Sequence, residues 1–352
     1  MRLAFAPYLL RFKEPGGTSR GVLTEKPTFL IKIYDESVPE RFGIGEAAVF
    51  PGLSPEADGS YVNKLLELMA NVALGRKTDL SHHSSIQFGL EQAVLDFSNG
   101  CKGIYYPGDF TEGKSEIIIN GLIWMGDYDE MIRRIGKKIE EGFSCLKLKI
   151  GAIDWEKELQ MLSFIRKHYG REKLTLRVDA NGAFRFDDAL KKLNQLAEFD
   201  IHSIEQPIKA GNPDFMAKLC KESPVAIALD EELIAKGDFE ERKKTLENIK
   251  PQYIILKPAL CGGFSGASEW ISLAEENNIG WWITSALESN VGLNAIAQWT
   301  SYIGASGPQG LGTGEVFSNN FDVPIERKSE KLFFNPEKKF NYSQFYGLTW
   351  HS

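Results

Sequence analysis

The middle of this 352-residue sequence alternates short, β-rich apolar runs with amphipathic helical segments at a regular interval. From the second predicted strand onward, successive strand ends lie 25 to 30 residues apart. One strand, one helix and two turns need about that much chain. The predicted strands are 117–124, 145–150, 174–179, 201–206, 225–230, 253–257 and 280–285. Seven or eight such units in series predict a parallel α/β barrel, with an open doubly wound sheet as the alternative.

The two ends of the chain have a different pattern from this repeat. Residues 1–115 combine helical segments with alternating strand patterns such as Thr28–Tyr34, which predicts an α+β domain. The barrel is then expected to occupy residues 116–316. From about residue 317 the sequence becomes polar and aromatic, so residues 317–352 are predicted to form a tail that returns to pack on the first domain.

The composition narrows the class of protein. The sequence has 41 Lys and Arg residues against 48 Asp and Glu residues, and the net charge of −7 argues against broad binding to nucleic acid or anionic membranes. The four cysteines show no metal-binding or disulfide-type spacing, and no apolar run is long enough to cross a bilayer. We therefore predict a cytoplasmic protein with a small-molecule substrate and with no nucleic-acid or membrane partner, and leave its oligomeric state open.

Polar and charged side chains recur at the predicted strand ends, which meet at one mouth in a parallel barrel. They are Lys147, Lys149, Asp179, Asn181, Glu205, Asp230 and Lys257. Three consecutive strands contribute carboxylates, and the strands on either side contribute lysines. A single strand-end acid is usually a helix cap or part of a surface ion pair. In a barrel, however, the outward positions must be apolar to meet the helices, so these charges are expected to point inward, where an unpaired charge is costly.

Three clustered carboxylates repel one another unless a cation lies among them, and an all-oxygen donor set suits Mg²⁺, with Mn²⁺ as a substitute. We therefore predict Asp179, Glu205 and Asp230 as metal ligands, with a small carboxylate as the substrate. A carboxylate bound to the ion can lose its α-proton to give an enediolate, whose added charge the cation stabilises. The proton acceptor must be a neutral lysine, a form that nearby positive charges favour, and Lys149 and Lys257 are expected to face each other across the substrate.

Taken together, these motifs resemble the muconate-lactonizing branch of the enolase superfamily. They are the Lys-x-Lys strand, the Asp-x-Asn, Glu-Gln-Pro and Asp-Glu strand ends, and the later Lys-Pro. The resemblance spans essentially the whole chain. It implies a (β/α)7β modified TIM barrel with an α+β capping domain built from the N-terminal region and the C-terminal tail. It also implies that Lys149 and Lys257 are the acid/base residues and that the three carboxylates bind the metal.

Further segments resemble the o-succinylbenzoate synthases of this superfamily, namely 45–54, 285–292, and Gly-Leu-Gly-Thr-Gly at 310–314 with Phe317, Asn319 and Asn320. This resemblance implies a lyase of menaquinone biosynthesis. Its substrate is 2-succinyl-6-hydroxy-2,4-cyclohexadiene-1-carboxylate, which loses water to give o-succinylbenzoate. Lys149 is then expected to remove the proton and assist hydroxide departure, while Lys257 stabilises the enediolate from the opposite face.

An N-succinylamino acid racemase or a dipeptide epimerase remains the alternative, because the same pair of lysines serves those reactions. The dipeptide epimerases usually carry an Asp-x-Asp motif near the eighth strand, and residues 309–318 lack one. That difference counts against dipeptide substrates and leaves N-succinylamino acids open.

Other polar residues near the mouth are candidates for binding the substrate or for tuning the lysines. They are Lys147, Arg177, Asn181, Ser285 and Ser289. Arg177 lies two residues before Asp179 and so on the same face of its strand, where it could contact a substrate carboxylate or form a structural ion pair. For Ser285 and Ser289, a role in a turn is the alternative. The segments Gly16–Arg20 and Phe50–Ser54 are candidates for setting specificity.

Overall fold

The N-terminal part of the chain is an antiparallel sheet covered on one face by two helices. The computed structural model of the protein describes residues 1–18 and 21–352. The sheet has the order β1 (Arg2–Thr18), β2 (Gly21–Tyr34), β3 (Phe42–Ala47). Helices α1 (Tyr61–Ala73) and α2 (Ser84–Ser98) pack against it through a buried apolar cluster that includes Phe5, Leu65 and Ile86. Burial of this cluster is the main force that holds the helices on the sheet.

The strand predicted at 117–124 is two strands in the structure. The first, β4 (Glu116–Ile118), and the second, β5 (Gly121–Ile123), are separated by Ile119 and Asn120. They belong to different sheets, because β4 pairs with a strand of the C-terminal tail and β5 pairs with the next strand of the barrel. The chain therefore passes from one sheet to the other at Asn120.

The central sheet has seven parallel strands in sequence order. After β5 they are β6 (Cys145–Lys149), β7 (Thr175–Asp179), β8 (Ser203–Glu205), β9 (Ile227–Leu229), β10 (Tyr253–Leu256) and β11 (Gly280–Ile283). Parallel bridges join Thr284 to Gly310 and Ile119 to Gln309, so the segment around residues 309–310 connects the two edges of the sheet. The predicted barrel is thus confirmed, and the open doubly wound sheet is wrong.

Helices follow the barrel strands and cover their outer faces. They are α3 (Tyr128–Glu140), α4 (Trp155–His168), α5 (Phe186–Ala197), α6 (Pro213–Glu222), α7 (Phe239–Ile249), α8 (Gly263–Glu276) and α9 (Asn290–Tyr302). The side chains of Asp127, Asp154, Asp238 and Ser289 each accept a backbone hydrogen bond at a helix N-terminus, which satisfies an otherwise unpaired amide. Within residues 1–18 and 21–352, no helix combines the length and the apolar character needed to span a membrane.

The C-terminal tail returns to the N-terminal sheet. Strands β12 (Ile325–Lys328) and β13 (Lys331–Phe334) form a three-stranded sheet with β4, and the last residues bond to β1, where Phe5 and His351 exchange backbone hydrogen bonds of 3.0 and 2.8 Å. Phe321 and Phe345 of the tail pack against Leu30 and Ile44 on the sheet face opposite α1 and α2. The boundaries at residues 115 and 316 stay predictions.

The loop that follows β6 is held by a buried carboxylate. Glu158 on α4 is 2% exposed and accepts hydrogen bonds from the backbone amides of Gly151, Ala152 and Ile153 at 2.7, 3.3 and 3.4 Å. Burial raises the pKa of Glu158 to about 7, although the three amide donors lower it. Because β6 ends at Lys149, this carboxylate supports the backbone just beyond a predicted site residue.

We expect Glu158→Gln to change how stability depends on pH. The folded-state pKa of Glu158 lies above its ordinary value of 4.5, so the folded protein binds more protons and the wild type loses stability as pH rises from 4.5 to about 7. The free energy of unfolding of the wild type relative to the variant should fall by up to about 3 kcal/mol between pH 4.5 and pH 8. Urea unfolding of both proteins at pH 4.5 and at pH 8 measures this difference in the free energy of unfolding.

The matched control is Glu156→Gln, an exposed glutamate on the same helix. Its stability relative to the wild type, measured over the same pH range, is the reference for Glu158→Gln. A pH dependence of Glu158→Gln that does not exceed this reference would contradict the raised pKa.

Candidate active site

The charged residues predicted from the strand ends meet at the carboxyl ends of the barrel strands. Lys149 pairs in register with Asp179, and Asp179 pairs with Glu205. Side chains paired across parallel strands lie on the same face of the sheet. Asp230 directly follows β9, and Lys257 directly follows β10. The carboxylates of Asp179, Glu205 and Asp230 are 0%, 3% and 2% exposed, so the three acids lie together inside the barrel.

Two lysines on β6 bind the first two acids. The ammonium nitrogen of Lys147 lies 2.9 Å from Oδ2 of Asp179 and also forms an ion pair with Glu205. The Nζ atom of Lys149 lies 2.8 Å from the same Oδ2 atom and donates a hydrogen bond of 2.7 Å to Oδ1 of Asn181. Asn181 therefore fixes the position of the Lys149 ammonium group. The third lysine, Lys257, forms an ion pair with Asp230 on the other side of the cluster.

The electrostatics of the cluster follow from these contacts. Burial raises the pKa of Asp179, but the charges of Lys147 and Lys149 outweigh it and hold the pKa well below its ordinary range. The pKa of Glu205 stands well above its ordinary value because burial and repulsion by Asp179 both raise it. Burial lowers the pKa of Lys147 and of Lys257, but the neighbouring carboxylates raise it more. The acids therefore hold both lysines in the protonated form.

The donor set fits a hard divalent cation. Asp179, Glu205 and Asp230 supply only carboxylate oxygens, from adjacent strands, and such oxygens are the ligands that Mg²⁺ and Mn²⁺ prefer. The Oε1 atom of Glu205 is buried and has no hydrogen-bond partner among the described residues, so it remains available to a cation. In residues 1–18 and 21–352, no three Asp, Glu, His or Cys side chains are arranged as a ready-made metal site. In the acid cluster, the carboxylate groups of Asp179, Glu205 and Asp230 form ion pairs with lysine side chains.

A cavity opens above the acids, between the barrel mouth and the N-terminal sheet. It encloses about 800 Å³, a volume that includes its open side. The polar part of its wall is formed by Lys147, Lys149, Asn120, Asn181, Lys257, Thr284, Ser285 and Thr313. The apolar part includes Leu23, Phe50, Leu53, Leu122, Trp124, Trp282 and Leu287. We call this the central cavity.

The structure places five of the ten predicted site residues on the wall of the central cavity, namely Lys147, Lys149, Asn181, Lys257 and Ser285. Phe50 and Leu53 from the predicted specificity segment 50–54 line it, as does Ser285, whose hydroxyl lies 2.7 Å from that of Thr313. The other segment, 16–20, borders a neighbouring cavity through Gly16, and its residues 19 and 20 lie outside the described residues. Leu23 and Trp124 were not singled out from the sequence, because no local pattern marks them, whereas Thr313 belongs to the Gly-Leu-Gly-Thr-Gly motif noted there.

Arg177 and Ser289 lie outside the wall of the central cavity. Arg177 donates a hydrogen bond of 2.8 Å to the carbonyl oxygen of Pro308, and its guanidinium lies 4.1 Å from the ring centroid of Trp282. In the described part of the chain it forms no ion pair, so the structural ion pair is not present, and a contact with a substrate carboxylate stays a prediction. Arg177 instead supports Trp282, which does line the cavity, by a cation–π contact.

Ser289 joins the N-terminal sheet to the barrel. It is the N-cap of α9, and Glu46 on β3 accepts hydrogen bonds from its backbone amide at 2.9 Å and from its hydroxyl at 2.5 Å. Glu46 also accepts a hydrogen bond of 3.0 Å from the amide of Gly292. The turn role that was the alternative for Ser289 accounts for these contacts. A carboxylate at a helix N-terminus is favoured by the helix dipole, so Glu46 anchors α9 and the preceding cavity loop to the sheet.

Comparison with known proteins agrees with this geometry. Residues 130–328 match the family model described as enolase C-terminal domain-like. The chain belongs to this family, within the enolase superfamily. Members of the superfamily use a divalent metal ion, which agrees with the donor set described above.

Similar proteins extend the match over nearly the whole chain. The o-succinylbenzoate synthase of Desulfotalea psychrophila is 44% identical, with 91% of this chain and 95% of that protein covered. The crystal structure of MenC from the same organism superposes with a TM-score of 0.85 at 39% identity, covering 95% of this chain and 99% of that chain. The N-succinylamino acid racemase of Thermus thermophilus is 28% identical over 83% of this chain and 79% of that protein.

Proposed function

We propose that the protein is a metal-dependent hydro-lyase that catalyses the o-succinylbenzoate synthase reaction of menaquinone biosynthesis. It would convert 2-succinyl-6-hydroxy-2,4-cyclohexadiene-1-carboxylate to o-succinylbenzoate and water. The observation that carries this proposal is the 44% identity to a protein of that name over almost the full length of both chains. The cluster of lysines and acids at the central cavity supplies the groups that the reaction needs.

The proposed cofactor is Mg²⁺, held by Asp179, Glu205 and Asp230. When bound there, the ion supplies positive charge that stabilises the negative charge developing on the substrate carboxylate. The residues themselves fit this role, since all three acids lie within the barrel and Oε1 of Glu205 has no hydrogen-bond partner among the described residues. The other proposed partner is a small carboxylate substrate.

Lys149 is the proposed base. Its Nζ atom lies at the wall of the central cavity, held between Asp179 and Asn181. In its neutral form it takes the α-proton of the substrate, and the electron pair of that C–H bond moves into the carboxylate to give the enediolate. The C–O bond at the ring then breaks, the hydroxide leaves, and the Lys149 proton converts it to water. One proton acceptor therefore serves both halves of the reaction.

Lys257 is proposed to act from the opposite side of the cavity. It follows β10, whereas Lys149 ends β6, and both side chains line the central cavity. Its ammonium group stabilises the enediolate by charge, with no proton transfer needed. Loss of water makes the ring aromatic, so the reaction is strongly downhill. The protein therefore has to contribute mainly positioning and charge stabilisation.

Racemisation of N-succinylamino acids is the second candidate function. It requires two lysines on opposite faces of one substrate, and Lys149 and Lys257, from β6 and from the end of β10, both line the central cavity. The similarity to the Thermus thermophilus racemase supports this candidate, but at 28% identity it is lower than the similarity to the synthase.

Steady-state kinetics on a substrate panel separate the two functions. We expect kcat/KM for dehydration of the cyclohexadiene substrate to exceed that for racemisation of any N-succinylamino acid by about tenfold or more. The Lys149→Ala protein, purified in the same way, is the control for contaminating host enzyme. Faster racemisation than dehydration would make the second candidate the main function, and turnover of neither substrate would contradict both.

A further inference from the structure

Asn120 lies at the point where the chain enters the barrel. It connects β4 to β5, and its backbone amide donates a hydrogen bond of 2.9 Å to the carbonyl oxygen of Gln309 on the segment that links the sheet edges. The residue is 4% exposed, and its side-chain Oδ1 atom has no hydrogen-bond partner among the described residues. A buried amide oxygen without a partner lowers stability, so its presence needs a reason.

The strand pattern directs this side chain toward the barrel interior. Leu122 pairs in register with Lys147, whose side chain reaches the acids inside the barrel. Because side chains alternate along an extended strand, Asn120 lies on the same side of the chain as Leu122. Both residues line the central cavity.

Two glycines contribute backbone to the cavity wall that includes Asn120. Gly310 and Gly312 line the cavity there without side chains, and a Cβ atom at Gly310 would lie 2.1 Å from the hydroxyl oxygen of Thr284. The neighbouring hydroxyl groups already have partners: Thr284 donates to the carbonyl oxygen of Gly310, and Ser285 and Thr313 bond to each other. The Asn120 carboxamide is therefore the available neutral polar group at this end of the cavity.

A positively charged cavity lies on the other side of the same wall. It shares Asn120, Leu122, Trp124 and Gly312 with the central cavity. Its basic residues are Lys13, Arg133, Arg134, Lys137, Lys138 and Arg327, against the acids Glu14 and Glu315 in the wall and against Glu130 and Glu141, which pair with Arg134, Lys138 and Arg327. We call this the basic groove. In a chain with a net charge of −7, such a local excess of positive charge favours an anionic group of a ligand at this end of the central cavity.

We propose that Asn120 is a substrate-binding residue that donates a hydrogen bond to a carboxylate or carbonyl oxygen of the succinyl side chain. This inference rests on the proposed function, in which the substrate has two carboxylates. One carboxylate lies at the acid and lysine cluster, and the succinyl side chain extends toward the wall shared with the basic groove. The donor is the Nδ2 group, which forms no hydrogen bond to a described residue, so Asn120 contributes to specificity for succinyl-bearing substrates.

The variant Asn120→Leu tests this assignment because leucine has a similar volume and no polar atom. We expect KM for the cyclohexadiene substrate to rise about tenfold or more, with kcat within about threefold of wild type, because a hydrogen bond to a charged group is lost. The affinity for o-succinylbenzoate, measured calorimetrically, should fall by a similar factor, whereas the weaker affinity for benzoate should not change. The melting temperature should not fall, because Oδ1 loses no partner within the protein.

The matched control is Asn294→Leu on α9. Asn294 is fully buried, donates to the carbonyl oxygen of Gly103 at 3.1 Å and accepts from Gln298 at 3.0 Å. Its replacement should lower the melting temperature and leave KM unchanged, which is the pattern of a structural residue.

The outcomes separate this inference from the function on which it rests. An active wild type together with an unchanged KM and product affinity in Asn120→Leu would overturn the assignment alone. A lower melting temperature with unchanged KM would also overturn it, since that result indicates a structural role. A wild type that neither turns over the substrate nor binds o-succinylbenzoate would contradict the proposed function itself.

Discussion

The Lys149→Ala variant should lose dehydratase activity by about 10³-fold or more while keeping its fold, because it lacks the proposed proton acceptor. The cavity offers two other lysines, but Lys147 is bound between Asp179 and Glu205, and Lys257 is bound to Asp230. Neither can take the position of the Lys149 ammonium group beside Asn181. Single-turnover and steady-state rates measure the loss.

The structure also indicates why the variant should fold. Asp179 keeps its ion pair with Lys147 at 2.9 Å when Lys149 is removed, so no buried carboxylate is left alone. Circular dichroism, the melting temperature and calorimetric binding of o-succinylbenzoate should therefore stay close to wild type. Lys192→Ala is a matched control, since this lysine pairs with Asp188 on α5 away from the cavity and its loss should not change activity. Activity of Lys149→Ala within tenfold of wild type would contradict its role as the base.

The positions of the main charged residues could be predicted from the sequence because parallel topology alone brings strand ends together. Asp179 and Glu205 end successive strands, and the structure pairs them in register. This proximity followed from the parallel order of the strands, without knowledge of any side-chain contact. The apolar neighbours on β6 likewise indicated that Lys147 and Lys149 face inward, and both line the central cavity.

The parts that could not be predicted depend on pairings between distant segments. The strand expected at 117–124 is broken at Asn120 because β4 pairs with β13 of the tail, and local periodicity carries no information about that partner. Ser289 was a candidate for the substrate site with a turn role as the alternative, and Glu46, 243 residues earlier, binds its hydroxyl group and amide. Both differences arise where the N-terminal sheet or the tail meets the barrel.

Removal of divalent metal should abolish turnover, and Mg²⁺ or Mn²⁺ should restore it. The physical reason is the charge at the acid cluster, where three carboxylates are buried within one barrel mouth. Lys147, Lys149 and Lys257 pair with these acids, and a divalent cation would supply the further positive charge that stabilises the enediolate. The measurement is the dehydration rate after treatment with excess EDTA and dialysis, followed by titration with each cation.

A thermal readout tests the same ligands without relying on activity. A cation that binds only the folded protein raises its melting temperature with concentration. We expect Mg²⁺ to raise the melting temperature of the wild type but not of Glu205→Gln, which loses the charge next to the buried, unpartnered Oε1 atom. Asp188→Asn, an acid on the outer helix α5, is the control and should keep the full response. Full activity in excess EDTA would contradict the requirement for a metal. An equal rise in melting temperature in Glu205→Gln would contradict Glu205 as a ligand of the metal.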